Sequence, residues 1–538
     1  MTNIKNSFHW ADINADKIIR ERKKMFDSGK DAFVCASGIT PSGTVHIGNF
    51  REIISVELVV RALRDKGEKV RFIYSWDDYD VFRKVPANMP DRENLEKFLR
   101  FPITMVPDPW GKEESYARAN EAELESLLPA VGVFPDYIYQ AAKYRKSEYA
   151  QGIKTALEKK DQIKKILDEH RTSPLDNEWM PVSVFCNKCS RDTTRVEGWD
   201  REWSISYSCS SCGNSEKVDL RETACAKLPW RIDWPMRWKH ERVDFEPAGK
   251  DHHSEGGSFD TAERISKDIF DHEPPVTFQY DFLSIKGRGG KISSSSGEVI
   301  SLRDVLEVYQ PEIVRYMFAG TRPNTEFAIS FDLDVIKIYE DYDKCERIYF
   351  GVEPVNEKKA DKEKRIFELS QVNELPDEIS YQIPFRHLCN LLQIQSGDIE
   401  AVIASLPDIS EKQKEKLRVR SKCAWNWIRD FAPEDFRFEL NTHGGTAGHA
   451  GDIPEDFDRD SSVRVLNLVA EEVRQLEKHT ETTLAEAIYA AAGECSMEPK
   501  DLFRLIYTVL IGKEKGPRLA GFIMAAGKEK ILPILEKY

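Results

Sequence analysis

The stretch from Ala32 to Tyr74 constrains the fold more than any other part of the chain. Ala32-Phe33-Val34-Cys35-Ala36 is a short apolar run with β-formers, which predicts a buried strand. Gly38, Pro41, Ser42 and Gly43 then break regular structure. From Phe50 onward Ile53, Ile54, Val56, Leu58, Val59, Ala62 and Leu63 recur on one helical face, and Gly67 ends the pattern. Lys69-Val70-Arg71-Phe72-Ile73-Tyr74 predicts a second strand. This is a βαβ unit with a glycine-rich loop at the carboxyl end of its first strand. Ligands of open α/β sheets bind at that end, and anionic groups are favoured by the helix N-terminus.

His46 and Asn49 stand three residues apart at the predicted helix start, so both can face one ligand. An imidazole and an amide can donate hydrogen bonds to phosphate oxygens as charge builds in a transition state. The alternative is a plain loop with a capping asparagine. The glycine spacing fits neither a Walker A loop nor the Gly-x-Gly-x-x-Gly of dinucleotide binders. A second stretch, Lys291-Ile292-Ser293-Ser294-Ser295-Ser296-Gly297, also has residue types suited to phosphates. It follows a predicted strand at Phe278–Leu283, and Gly287, Gly289 and Gly290 predict the mobility of a closing clamp. A flexible linker is the competing reading.

Cys186-x2-Cys189 and Cys209-x2-Cys212 form the four-thiolate pattern of a structural zinc site, with a β-hairpin between them. Gly213 permits the tight turn after the second pair. Four thiolates leave no open position, so the metal is expected to be structural. The other cysteines are scattered, which with the absence of a signal-peptide core predicts a cytoplasmic protein with reduced thiols. No apolar run approaches the ~18 residues of a membrane span.

At 538 residues the chain is too long for one domain. Its net charge of −14 argues against a uniformly basic nucleic-acid binder but leaves room for a local basic face. Asp77, Asp78 and Asp80 follow the second strand and suit either a solvated turn or a pocket for a cationic group. Residues 100–185 read as inserted loops and helices, with helical patterns from Glu113 to Leu128 and Tyr144 to Leu167. Gly249 lets a backbone approach a ligand closely, Asp251 suits ribose hydroxyls, and His252 suits a hydrogen-bonding pocket. From Leu302 onward the periodicity is almost entirely helical.

His46-Ile47-Gly48-Asn49 resembles the His-Ile-Gly-His signature of class I aminoacyl-tRNA synthetases, with Asn49 at the last His position. Lys291-Ile292-Ser293-Ser294-Ser295 resembles their Lys-Met-Ser-Lys-Ser, with Ser294 where the second Lys stands. Within that class, Ser37-Gly38-Ile39-Thr40-Pro41-Ser42-Gly43, Asp77-Asp78-Tyr79-Asp80, the paired cysteines and Gly249-Lys250-Asp251-His252 resemble the class I lysyl-tRNA synthetase family most closely.

The resemblance implies an α/β fold: a Rossmann-type parallel-sheet catalytic domain with a zinc-ribbon insertion, followed by an all-α C-terminal domain. The expected boundaries are 1–100 and 229–300 for the two halves of the catalytic domain, and 101–228 for the insertion with the ribbon at 186–212. A connecting helical region would cover 301–350 and an α-helical anticodon-binding domain 351–538. The implied activity is ATP-dependent attachment of L-lysine to tRNA(Lys) through a lysyl-adenylate, with activation dependent on the tRNA. Mg with ATP and one structural zinc are the implied cofactors. A second metal site is not expected, because Asp108-Pro109-Trp110-Gly111 is followed by Lys112 and Glu113 rather than Cys or His.

Carried over position by position, the resemblance implies catalytic roles for His46, Asn49, Lys291 and Ser294. ATP would meet Gly43, His46, Gly48, Asn49, Gly249, Asp251, Lys291, Ser293 and Ser294. Lysine would meet Gly38, Thr40, Trp230, His252 and Tyr280. Charge adds one carboxylate from Asp77, Asp78 and Asp80, assigned here to Asp78. Lys291, Lys286 and Arg288 share the candidacy for the cation that replaces the missing second Lys. The competing readings are a class I synthetase for another amino acid such as glutamate, a small nucleotidylyltransferase, and a non-catalytic tRNA-binding relative.

Overall fold

An opening helix, α1 (Trp10–Arg22), leads into β1 (Phe33–Ile39). The strand continues three residues past Ala36, so Gly38 lies in the strand rather than in the turn expected there. The reason is packing. A Cβ on Gly38 would stand 2.7 Å from the Ser75 carbonyl oxygen of the neighbouring strand. Next come α2 (Ile47–Asp65) and β2 (Val70–Trp76). The first turn of α2 forms earlier than its apolar periodicity indicates, because His46 is its N-cap and Asn49 closes the cap. The Asn49 Oδ1 accepts from the His46 backbone N–H at 3.2 Å, and the Asn49 N–H donates to the His46 carbonyl at 2.9 Å.

The chain then forms α3 (Tyr116–Leu127) and β3 (Asp136–Tyr139). β3 pairs in parallel with β2, so the stretch read as inserted loops and helices also supplies a strand of the central sheet. The single helix expected over Tyr144–Leu167 is instead three short ones, Gln140–Arg145, Ala150–Glu158 and Lys160–Asp168. Ser147, at φ +55, turns the chain between the first two.

The expected hairpin is present as β4 (Thr194–Trp199) and β5 (Ser204–Cys209), extended antiparallel by β6 (Ser215–Asp219). There follow α4 (Trp230–Glu241), β7 (Ala248–Gly249), α5 (Ser258–Asp268) and β8 (Gln279–Tyr280). The strand expected over Phe278–Leu283 is thereby split, its end belonging to β9 (Leu283–Ile285). β9 pairs in parallel with β10 (Phe327–Ile329), a strand within the region whose periodicity is helical.

β1 pairs in parallel with β2 on one side. On the other side Cys35 bridges to Phe245 and Phe245 to Val276, both in parallel, and the same two segments continue as the β7–β8 pair. The lateral order is therefore β3-β2-β1-β7-β8, and the sequence order reverses between β1 and β7. In doubly wound sheets that reversal opens a crevice at the strands' carboxyl ends.

The described residues are 8–27, 29–286, 299–441 and 453–538. They divide into one unit of Met1–Leu306, Pro311–Ile329 and Cys345–Asp377 and another of Glu307–Gln310, Ser330–Lys344 and Glu378–Tyr538. In the first, α2 is fixed by two buried charges. The Arg51 guanidinium donates to the carbonyls of Phe282, Pro323 and Thr325 at 2.7, 2.8 and 2.6 Å. Glu57 pairs with the fully buried Arg315 at 2.6 Å, which also donates to the Leu369 and Val131 carbonyls. Removing one partner of such a pair typically costs about 3–5 kcal/mol.

The second unit is helical, with a core of residues such as Val465, Leu466, Leu484, Leu505 and Ile523. A bidentate pair of Arg420 with Asp343, at 2.6 and 2.7 Å, lies beside the stacked rings of Tyr339 and Phe385.

Candidate active site

The carboxyl ends of β1 and β7 and the N-terminus of α2 converge at the crevice. One cavity there is lined by Ser37 and Gly38 from β1, Glu52 from α2, Trp230, Trp234 and Trp238 from α4, and Glu246 and His252 near β7. The three tryptophans recur every four residues and so share one face of α4. Trp230 and Trp234 stack at 4.8 Å, and the His252 ring meets the edge of Trp234 at 5.9 Å. His252 Nδ1 is 2.5 Å from Ser258 Oγ, which fixes the ring. Gly257 is required in that turn, because a Cβ there would lie 2.3 Å from the His252 carbonyl oxygen.

Glu52 stands at the head of this cavity. Its Oε1 accepts from Ser37 Oγ at 2.8 Å and from the Gly38 N–H at 3.3 Å, and its Oε2 accepts from the Tyr280 hydroxyl. Burial holds its carboxyl above the usual range, and these three hydrogen bonds act in the opposite direction. Burial likewise pushes Glu246 up to about 7, with the nearby Glu52 charge adding to the effect; Trp238 Nε1 donates to it at 2.6 Å. Two carboxylates and an aromatic wall around one cavity form a place for a cation with an apolar stem.

A second cavity of ≈ 600 Å³ adjoins the first, sharing Gly38, Asp77, Trp230 and His252, and extends past Thr40 to Lys227 and Thr194. Gly38, Trp230 and His252 therefore line both cavities, Thr40 lines the second, and Tyr280 reaches the first through Glu52. Asp78 lines neither. It is buried, accepts from the Ala141 N–H at 2.7 Å and caps the start of the helix after β3. The assignment of Asp78 to the ligand is thus corrected. Asp77 does line the cavities, but its carboxylate pairs with Arg237, which also bonds Asp233 at 3.2 Å and Ser75 at 2.8 Å. Asp80 pairs with Arg83 at 3.2 Å.

At the α2 N-terminus the His46 ring lies over Gly48, where a Cβ would come within 2.9 Å of it. The Ile47 N–H donates to the Ile300 carbonyl at 2.8 Å, so the chain just after the Lys291 stretch is pinned beside His46. Gly43 is buried in the loop before His46, and Gly249 approaches Asp251 and Tyr280 so closely that a Cβ would be 2.7 Å from Asp251 Oδ1. Lys291, Ser293 and Ser294 lie outside the described residues.

Away from the crevice, the four sulfurs of Cys186, Cys189, Cys209 and Cys212 lie within 4.8 Å of one another, with pairs 3.6 Å apart. A tetrahedron of thiolates around zinc at about 2.3 Å has S···S edges of roughly 3.8 Å. The donor set and spacing therefore fit one four-coordinate metal ion. Gly213 adopts φ +71 and its N–H donates to the Cys209 carbonyl at 2.9 Å, forming the knuckle turn.

The pattern that defines the family described as tRNA synthetases class I (K) matches residues 8–373. A lysine–tRNA ligase of Borreliella burgdorferi is 56% identical over 98% of this chain and 99% of its own. That of Treponema pallidum is 52% identical over the whole of both, and that of Thermococcus kodakarensis is 40% identical over 97% and 98%. The chain belongs to the class I lysyl-tRNA synthetase family.

Sequence reasoning missed Glu52, Glu246 and Arg237 in this synthetase. Glu52 had a trace in the sequence: it is an acid directly preceding Ile53 and Ile54 and three residues after Asn49 in the same helix. Arg237 left only its i,i+4 spacing to Asp233, and its other partner, Asp77, lies far away along the chain.

Proposed function

We infer that this chain attaches L-lysine to tRNA in two steps, through a lysyl-adenylate. The observation that carries the reading is Glu52, a carboxylate fixed by Ser37, Gly38 and Tyr280 at the head of an aromatic cavity beside the sheet's reversal point. The lysine ammonium sits at Glu52, its methylenes lie along Trp230 and Trp234, and His252 and Thr40 orient the amino-acid end. A glutamate-activating site would need a cation there. Arg237, the guanidinium in the lining, is already engaged by Asp77 and Asp233, which disfavours that alternative.

ATP, carried with Mg, lies across the α2 N-terminus. A lysine carboxylate oxygen attacks the α-phosphorus, the new O–P bond forms, and the bond to the bridging oxygen breaks to release pyrophosphate. His46, Asn49 and the first-turn N–H groups stabilise the charge moving onto pyrophosphate, with Lys291, Ser293 and Ser294 supplying the rest. Gly43, Gly48 and Gly249 keep side chains out of the nucleotide's path, and Asp251 holds the ribose. The terminal 2′-hydroxyl of the tRNA then attacks the acyl carbon, and AMP leaves. Neither step needs a protein nucleophile.

ATP–pyrophosphate exchange with each amino acid, with and without total tRNA, tests this directly. The expected result is exchange with lysine that requires tRNA. Exchange with glutamate and not lysine would overturn the pocket, and no exchange at all would favour a non-catalytic relative.

The cysteine cluster holds one structural zinc, Cys186, Cys189, Cys209 and Cys212 each giving a thiolate. Cys209→Ser is expected to lower the zinc content of the purified protein from about one equivalent toward zero. It should also make the hairpin around Trp199 and Trp203 protease-sensitive. A variant that keeps its zinc and its protease resistance would remove this assignment. Among the described residues no helix is long and apolar enough to cross a membrane.

A further inference from the structure

The aromatic cavity beside β1 contains one more acid than a single ammonium needs. Glu52, Asp77, Glu241 and Glu246 all line it. Asp77 is neutralised by Arg237, and Glu241 pairs with Arg71 at 2.9 Å and with Lys143 at 3.8 Å. Glu52 and Glu246 form no ion pair among the described residues. A carboxylate withdrawn from water without a partner is costly, so two of them around one cavity call for a ligand that serves both.

Glu246 is buried and held in place. The chain beside it is fixed to β1, whose Ala36 N–H donates to the Phe245 carbonyl at 2.8 Å. The Trp238 indole N–H donates to Glu246 Oε2 at 2.6 Å, and the Trp234 indole acts on the same carboxylate. Phe259 of α5 packs against both tryptophan rings, at 5.5 and 5.3 Å, so the wall and the acid it holds are fixed together. A carboxylate offers about four lone-pair positions, and an ammonium presents three N–H donors. Ser37, Gly38 and Tyr280 occupy three positions on Glu52. The position left there takes one N–H of a bound ammonium and leaves the other two seeking acceptors. On Glu246 the two indoles take at most two positions, and the rest stay open.

We propose that Glu246 is a specificity-determining residue: Glu52 and Glu246 divide the three N–H groups of the lysine head between them, and a head bearing alkyl groups in place of those N–H groups is rejected although its charge is intact. The proposal rests on the reading of this cavity as the lysine site and adds a selection that Glu52 alone does not make. One carboxylate selects for positive charge, whereas the pair selects for N–H donors. N6-methylated lysines have the charge and the apolar stem of lysine. A tryptophan wall by itself welcomes them, since aromatic rings bind methylated ammonium groups well. An alkyl group turned toward Glu246 leaves that buried acid without a donor. A site built to hydrogen-bond a substrate N–H strongly rejects the analogue that lacks it.

The test uses ATP–pyrophosphate exchange with the full-length protein in the presence of tRNA. The KM for lysine and the inhibition constant of N6,N6-dimethyllysine against lysine are measured for the parent, Glu246→Gln and Glu52→Gln. Glutamine has nearly the volume of glutamate, so any steric exclusion of the two methyl groups cancels between parent and variant. In Glu246→Gln the one amide oxygen stays on the Trp238 N–H, and the NH2 turns toward the ammonium. The KM for lysine is expected to rise about tenfold or more, with kcat changed by no more than about threefold. The preference for lysine over dimethyllysine is expected to be roughly a hundredfold in the parent and to fall about tenfold in Glu246→Gln. Glu52→Gln should weaken both compounds, because it removes a charge that both require. A KM for lysine within about twofold of the parent in Glu246→Gln, or a preference over dimethyllysine that does not fall, would overturn the role of Glu246 and leave the Glu52 pocket standing. Absence of lysine-dependent exchange by the parent would instead strike the underlying reading.

Discussion

Glu52→Gln is expected to raise the KM for lysine by a hundredfold or more while leaving the KM for ATP within about twofold. The substitution is nearly isosteric: the amide oxygen can go on accepting from Ser37 and Gly38, and the amide NH2 can donate to the Tyr280 hydroxyl oxygen, so the cavity should keep its shape. What it removes is the charge opposite the ammonium. An ammonium left without its buried partner costs about 3–5 kcal/mol, which corresponds to roughly two to four powers of ten in affinity. Lysine-dependent pyrophosphate exchange gives the number, and an unchanged KM for lysine would remove Glu52 from the pocket. The pH dependence has a definite sign. The Glu52 carboxyl of the empty site is raised above its ordinary value by burial, so it takes up a proton at a higher pH than a solvated glutamate. The ammonium binds the ionised form, so affinity for lysine should fall as pH is lowered through that raised range, and Glu52→Gln should abolish this dependence.

His46→Ala is expected to lower the rate of activation by about a hundred- to a thousandfold, the usual effect of losing one donor to a developing negative charge. Binding of tRNA should change little. The distinction between a structural and a chemical role is unusually clear at this position. Asn49 caps α2 through the backbone N–H of residue 46, and alanine retains that N–H. The ring itself packs on Gly48. The ring also faces the residue-49 backbone in the capping box, so its loss should cost about 1 kcal/mol of cap while the Asn49 half of the box keeps the helix start in place. A thermal midpoint within a few degrees of the parent, together with the expected rate loss, would support the assignment, whereas full activity would refute it.

Much of this arrangement could be read from local pattern. The strand–loop–helix at 33–65 and the thiolate spacing follow from periodicity or from short motifs whose parts are close in sequence, whereas Gly38 and Trp230, which line the cavity, are indicated only by the family resemblance. The misreadings have a common physical origin in contacts between distant segments. β3 looks like one more piece of an insertion until its pairing with β2 is known. β10 sits among helical patterns and is a strand because β9 lies beside it. Asp77, Asp78 and Asp80 are three similar acids in sequence. In three dimensions one is neutralised by Arg237, one caps a helix, and one pairs with Arg83. The carboxylate at the head of the aromatic cavity is a fourth, Glu52, on a different element.

The double anchoring of α2 limits how this family can change by insertion and deletion. His46, Asn49 and Glu52 recur every three residues from the helix start, while Arg51 and Glu57 tie the same helix to Phe282, Pro323, Thr325 and Arg315. One residue added between Asn49 and Glu52 would rotate everything beyond it by about 100°. With the far end clamped, that rotation would carry the nucleotide-facing turn away from the amino-acid pocket rather than shift either gradually. New amino-acid preferences on this scaffold are therefore reachable by exchanging side chains in place. A length change in those first turns would separate the two substrates in a single mutational step, which makes this segment a natural marker of correct alignment among distant relatives.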